Sequence, residues 1–250
     1  MQMTAGIAGL VALMALPTTS DTPKALQGVH RIVTLGDSIT EGGGQPGGYV
    51  WLLGQTLARL YPDQKFEIVN AGISGHKATD MQARFQRDVL DKKPDMVTIS
   101  VGVNDVWHGF FDFAAGKRIP DGSGPNGVPI PLYRQKLSEM IEAAQKANVR
   151  VVLLAPTIIY EDLSSAENKS LTGYIAVMRE LAAKYLCLYV DMNAPFHRII
   201  AARRKQANST ENYLTTDGVH MNPVGNKLMA YTLLRGLGVP DNLLSDLKVR

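Results

Sequence analysis

Val33-Thr34-Leu35-Gly36-Asp37-Ser38-Ile39-Thr40 begins as an apolar strand and breaks at Gly-Asp-Ser. It continues into a glycine-rich run, Glu41-Gly42-Gly43-Gly44-Gln45-Pro46-Gly47-Gly48. A serine where a buried strand gives way to a loop is exposed yet rigidly held, which is what a nucleophile needs. The rest of the chain must then supply a base, an orienting acid and an oxyanion site.

Further apolar runs follow the first at 66–70, 96–101, 149–155 and 186–190, and each reads as a strand. Helical periodicity occupies the intervals, at 49–60, 79–90, 132–147 and 164–185, with Thr79 as a cap for the second of these. Asn193 starts another helix and Pro223 opens the last, which ends near Leu237. The strands are continuous apolar runs rather than alternating ones, the pattern of strands covered on both faces. The spacing predicts an α/β fold: one parallel sheet with right-handed crossovers in a three-layer αβα sandwich.

At 250 residues, 45% hydrophobic and 20% charged, the chain suits one globular domain. A net charge of +3 with no long basic tract argues against nucleic acid as a partner. Arg203-Arg204-Lys205 reads as the solvated end of a helix. The single cysteine, Cys187, lies in an apolar run and reads as a buried core thiol. The apolar stretch 5–16 resembles the core of a secretory signal, although no Lys or Arg precedes it and no Ala-x-Ala site follows. It is too short to span a bilayer, so no stable membrane insertion is expected. The expected organisation is an N-terminal segment and linker at 1–29 and a catalytic domain at 30–250, with export expected and a cytoplasmic location the alternative.

Ligands of an open parallel sheet gather at the carboxyl ends of its strands. Those ends carry Asp37-Ser38, then Gly72 to Gly75, then Gly102-Val103-Asn104-Asp105; the turn Thr216-Asp217-Gly218-Val219-His220 comes later. Ser38 needs a base, and His220 can serve because imidazole titrates near neutrality. Asp217 is placed three residues before it, where a tight turn brings a carboxylate to the second ring nitrogen. The Ser38 and Gly75 N–H groups and the Asn104 amide are candidate oxyanion donors. Gly72 is the alternative to Gly75.

Gly36-Asp37-Ser38, Gly75, Gly102-Val103-Asn104-Asp105 and Asp217-Gly218-Val219-His220 resemble, in order, the four sequence blocks of the SGNH, or GDSL-type, esterases and lipases. The resemblance implies a flavodoxin-like sandwich with five parallel strands. It also implies ester hydrolysis by a Ser-His-Asp triad, with Ser38 as nucleophile, His220 and Asp217 completing the triad, and Ser38, Gly75 and Asn104 as the oxyanion hole. One departure is His76, where many members have Asp. The Gly-x-Ser-x-Gly elbow of α/β-hydrolases is absent, since Thr40 holds the second glycine's place.

Asp37 and Asp105 are expected to brace their loops and Asp191 to cap a helix. The segment 106–131 is long for a loop in a compact domain, and such loops are usually functional. It holds Trp107, Phe110, Phe111 and Phe113, which form either a satellite core or a wall over the acyl or sugar pocket. His76, Trp107 and His108 each follow a site block and are candidates for substrate contact. The expected substrate is a short-chain ester, acetyl above all, of a carbohydrate or similar polar alcohol. A lysophospholipid, longer-chain or aryl ester under a 106–131 lid is the alternative, and a non-catalytic glycan binder is the alternative of another class. The chemistry calls for no cofactor, and no metal-ligand spacing stands out.

Overall fold

A computed structural model describes residues 22–207 and 210–249; the signal-like stretch 5–16 lies outside them. In chain order the strands are β1 (Arg31–Gly36), β2 (Glu67–Gly72), β3 (Met96–Ser100), β4 (Phe111–Asp112), β5 (Lys117–Arg118), β6 (Arg150–Leu154) and β7 (Leu188–Val190). The helices are α1 (Ser38–Gly43), α2 (Tyr49–Leu60), α3 (Ala78–Ala83), α4 (Phe85–Asp88), α5 (Val103–Trp107), α6 (Ile130–Lys146), α7 (Ala166–Lys184), α8 (Asn193–Ala207) and α9 (Pro223–Gly236).

The main sheet has the order β2-β1-β3-β6-β7, all parallel. This is the flavodoxin-like arrangement, in which the winding direction reverses between β1 and β3. Right-handed crossovers then place the helix after β1 on one face and those after β2, β3 and β6 on the other. The packing agrees: α2 lies against α9, while α3, α6 and α7 pack in succession. The central strands β1, β3 and β6 are buried almost throughout, whereas the edge strands β2 and β7 are largely half-buried.

The register levels the strand ends. Leu35 pairs with both Ala71 and Ile99, so β1, β2 and β3 leave the sheet side by side. Strand β2 runs on to Gly72 because Ala71 and Gly72 still pair with Leu35 and Gly36.

Several local expectations need correction. Leu26 and Val29 are fully buried, and Arg150 donates to the Ala25 carbonyl, so the packed chain begins within the expected linker. Thr79 is not a cap: α3 starts at Ala78, and Asp80 accepts a hydrogen bond from the Lys77 N–H. The expected 79–90 helix breaks at Arg84, whose guanidinium is drawn to the sheet edge. Strand β7 starts at Leu188, because Leu186 is 92% exposed with a left-handed φ of 52°. Cys187 is only half-buried beside that edge, and burial pushes its thiol up to about 11. Asp191, by contrast, caps α8 as expected, accepting from the Asn193 and Ala194 N–H groups.

The first turn of α2 is served from the far end of the chain. Gly48 offers no side-chain cap, and the Tyr49 N–H instead donates to Asn226 Oδ1 on α9 at 2.9 Å. The Asn226 amide in turn donates to the Met221 and Asn222 carbonyls. Replacing Asn226 by Ala is expected to lower stability by about 1–2 kcal/mol, the usual cost of a lost helix cap. Urea denaturation should show a reduced midpoint at constant slope.

Candidate active site

Ser38 is the first residue of α1, directly beyond the end of β1. Asp37 caps this helix, its Oδ1 accepting from the Ile39 N–H at 2.9 Å. The carboxyl is buried, and burial raises it to about 6, against the opposing Ile39 hydrogen bond. Asp37 therefore has the bracing role expected for it.

The turn before α9 brings Asp217 and His220 together. Asp217 Oδ1 accepts from the Val219 and His220 N–H groups at 2.9 and 2.8 Å. This leaves Oδ2 for His220 Nδ1, 2.6 Å away. Burial pushes Asp217 upward, but its hydrogen bonds from the His220 side chain and backbone prevail and hold it below the ordinary carboxylate value. With the carboxylate accepting from Nδ1–H, Nε2 carries the lone pair. Nε2 lies 2.9 Å from Ser38 Oγ, across a sequence separation of 182 residues. The serine proton therefore has an acceptor, and the resulting imidazolium has a counter-charge.

The exits of β2 and β3 flank that of β1. Gly75 has a φ of 77°, and a Cβ there would meet nothing within 4 Å. Gly72 does not fit the alternative assignment. Its N–H is taken by Asn70 Oδ1 at 2.8 Å, and a Cβ would lie 2.1 Å from the Glu41 nitrogen. Asn104 donates one amide hydrogen to the His76 carbonyl at 3.2 Å, leaving the other for a ligand. Asp105 Oδ1 accepts from the Ala78 N–H at 2.9 Å, so adjacent side chains of the β3 exit hold the loop that carries Gly75. Its Oδ2 is buried without a partner, and burial raises the carboxyl to about 7.

Arg84 ties the same edge together from below. Its buried guanidinium donates to the Gly36 and Ala71 carbonyls, to Asp88 and to His76 Nδ1. Because Nδ1 accepts, the His76 proton sits on Nε2. Burial, then the Arg84 charge, hold His76 below its ordinary value, so the ring is a neutral donor beside Gly75.

Two neighbouring residues with clear roles were not singled out by sequence reasoning. Glu161 is 2% exposed, and its carboxylate accepts from the Tyr213, Leu214 and Thr215 N–H groups and from the Thr215 hydroxyl. This carboxylate is the template on which the approach to Asp217 and His220 is laid. Tyr160, with φ 62°, donates its N–H to the Gly218 carbonyl at 2.8 Å, inside the turn itself. The available signal was position: both follow β6 on the edge where the other strand exits converge.

The segment 106–131 is both core and wall. Phe110 is 1% exposed, packed under the Gly122 backbone, and the Gly124 N–H donates to the Gly109 carbonyl at 2.7 Å. Such close backbone approach requires the glycines of this run. Trp107 is half-buried and commits its Nε1–H to the Tyr160 hydroxyl at 2.9 Å. His108 is half-buried against Phe113, and burial, then the Lys77 charge, hold it below its ordinary value. Among the described residues no cluster of His, Cys, Asp and Glu gathers as a metal site, and no helix is long and apolar enough to cross a membrane.

Comparison with known proteins adds to this geometry. Residues 34–228 match the GDSL-like Lipase/Acylhydrolase family. The chain is 28% identical to an acetylxylan esterase of Geobacillus stearothermophilus, over 84% of this chain and 94% of that one. It is 26% identical to the isoamyl acetate-hydrolyzing esterase 1 homolog of Mus musculus, over 81% and 79%. The crystal structure of the acetyl xylan esterase AlAXEase superposes with a TM-score of 0.72 at 31% identity, covering 82% of this chain and 98% of that one. Catalytic mutants of the Geobacillus enzyme replace a serine, an aspartate and, three residues further on, a histidine by alanine.

Glu161→Gln would turn amide hydrogens toward backbone donors and loosen the turn. We expect kcat on p-nitrophenyl acetate to fall roughly 10- to 100-fold, the scale of an ångström-sized misplacement, with KM little changed. Steady-state kinetics beside circular dichroism would check this. Asp105 gives a pH test. A carboxyl raised from 3.8 to about 7 contributes stability fully present below 3.8 and lost as pH rises through about 7. Between about pH 5 and about pH 8 the wild-type urea midpoint should therefore drop more than that of Asp105→Asn. Equal drops would contradict the assignment.

Proposed function

Because the chain belongs to the GDSL-like lipase/acylhydrolase family and is a carboxylic ester hydrolase, we propose that it removes short acyl groups, acetyl above all, from a carbohydrate or similar polar alcohol by transfer to Ser38. The observation that carries the mechanism is the continuous chain Ser38 Oγ, His220 Nε2, His220 Nδ1 and Asp217 Oδ2, with separations of 2.9 Å and 2.6 Å at its two hydrogen bonds. His220 takes the serine proton as Oγ attacks the ester carbonyl, and Asp217 stabilises the imidazolium. The carbonyl oxygen becomes an oxyanion held by the Ser38 and Gly75 N–H groups and the Asn104 amide. On collapse the imidazolium returns its proton to the departing alcohol, leaving an acyl-Ser38. Water, deprotonated by His220, attacks that ester; the carboxylic acid leaves and Ser38 regains its proton.

The acetyl preference is supported by the relatives, which are named for acetylxylan and isoamyl acetate and so share the acetyl group while differing in alcohol. A lid over long acyl chains is less well supported. The 106–131 segment is pinned by the Gly109–Gly124 hydrogen bond, by the pairing of β4 with β5 and by the Arg118–Glu167 ion pair.

Ser38→Ala is expected to lower kcat on p-nitrophenyl acetate by roughly 10⁵- to 10⁶-fold and to abolish labelling by a fluorophosphonate. Retained turnover would end the Ser38 mechanism. In a series of p-nitrophenyl esters kcat/KM should be highest for acetate; a maximum at eight carbons or more, the range of a lipase, would end the short-acyl reading.

A further inference from the structure

The outer end of the aromatic segment is not used by acyl transfer. Phe113 is 57% exposed, the most open aromatic ring among the exposed large hydrophobic residues described. A lone exposed apolar residue is ordinary on a protein surface. Phe113 differs in being held in place within an aromatic cluster and tied to the site.

It is held in place. Its ring stacks on Phe111 with centroids 5.9 Å apart and planes 14° apart, and the His108 ring sits edge-on at 5.3 Å. Its backbone N–H donates to Asn126 Oδ1 at 3.0 Å. It is also tied to the site from two directions. The Asn126 carbonyl accepts from Lys77 Nζ at 2.9 Å, and Lys77 closely follows Gly75 in the oxyanion loop. On the other side Phe111 meets Trp107 edge-on at 6.3 Å, and Trp107 bonds to Tyr160, which bonds to Gly218 in the acid–base turn.

We propose that Phe113, backed by Phe111 and His108, is a platform for a pyranose ring in the alcohol part of the substrate, outside the acyl-transfer centre. This rests on the carbohydrate-ester reading above. One face of a pyranose presents C–H groups polarised positive, which suit the electron-rich face of a phenyl ring. The sugar's hydroxyls then project at the ring edge, where the Lys77 ammonium, the Asn126 amide and the His108 ring supply polar partners. An alkyl chain laid over the same ring would cover those polar groups without satisfying them, an arrangement that costs free energy. An acetyl group ends one methyl beyond its carbonyl and leaves no further acyl chain for an exposed ring to hold. The two ends of the substrate are thus assigned to different parts of the molecule.

The test uses the full-length Ser38→Ala protein, which does not turn over, titrated calorimetrically with xylohexaose. Adding Phe113→Ala should weaken binding about three- to tenfold, the scale of one aromatic contact, and Phe113→Trp should restore it. In the active enzyme Phe113→Ala should raise KM for acetylated xylohexaose by a similar factor with kcat retained. Thermal melts would show that an exposed ring has been removed without unfolding. Unchanged xylohexaose affinity would overturn the platform, as would failure of the parent protein to bind it. So would a loss confined to long-chain acyl esters, which would make Phe113 an acyl wall. Xylohexaose carries no ester, so this measurement fails or succeeds separately from the Ser38 mechanism.

Discussion

The site depends on the pairing of β1 with β2 on one side and β3 on the other, in parallel and in level register. A parallel sheet sends all its strands out through one edge. The reversal of winding at β1 and β3 leaves a crevice there that no crossover helix fills. Ser38, the Gly75 loop and Asn104 follow three separate strand exits, which that shared register brings to one edge. A slip of one residue in any of these strands would turn its face over and withdraw its contribution.

Buried polar groups hold the convergence. Arg84 gathers the carbonyls of β1 and β2 and the ring of His76; Asp105 and Asn104 grip the Gly75 loop; Glu161 holds the approach to Asp217 and His220. Each satisfies backbone groups that loops at a sheet edge would otherwise leave unpaired. The arrangement has an electrostatic cost, seen in the raised carboxyls of Asp37 and Asp105. Asp217 is the contrast: enough hydrogen bonds reach it to keep it ionised and able to stabilise a positive imidazole.

The aromatic segment extends the same logic outward. Phe110 enters the core, Trp107 braces Tyr160 and Phe113 remains open. One short stretch therefore passes from core packing, to support of the Asp217–His220 turn through Tyr160, to an open surface ring. The glycines after it allow the chain to fold back closely enough to hold those rings.

Sequence alone determined the α/β class, the parallel sheet and the positions of its strands to within a few residues, because buried strands and amphipathic helices carry local periodicity. It also placed Asp217 and His220 together, since a separation of three residues in a turn is a local constraint. Helix ends were less legible. The Asn226 cap on α2 comes from 177 residues away, and the Asp80 cap displaced the expected Thr79. Tertiary structure decided whether Gly72 or Gly75 has an open N–H, that Leu26 and Val29 belong to the core, and that Phe113 rather than Trp107 is the exposed ring. It alone disclosed Glu161, an acidic residue with no motif around it whose partners lie 52 to 54 positions away. The physical reason is common to all of these. Turns and periodic elements are set by neighbours in the chain, whereas an approach such as Ser38 to His220 is set by strand register and packing, which no short stretch contains.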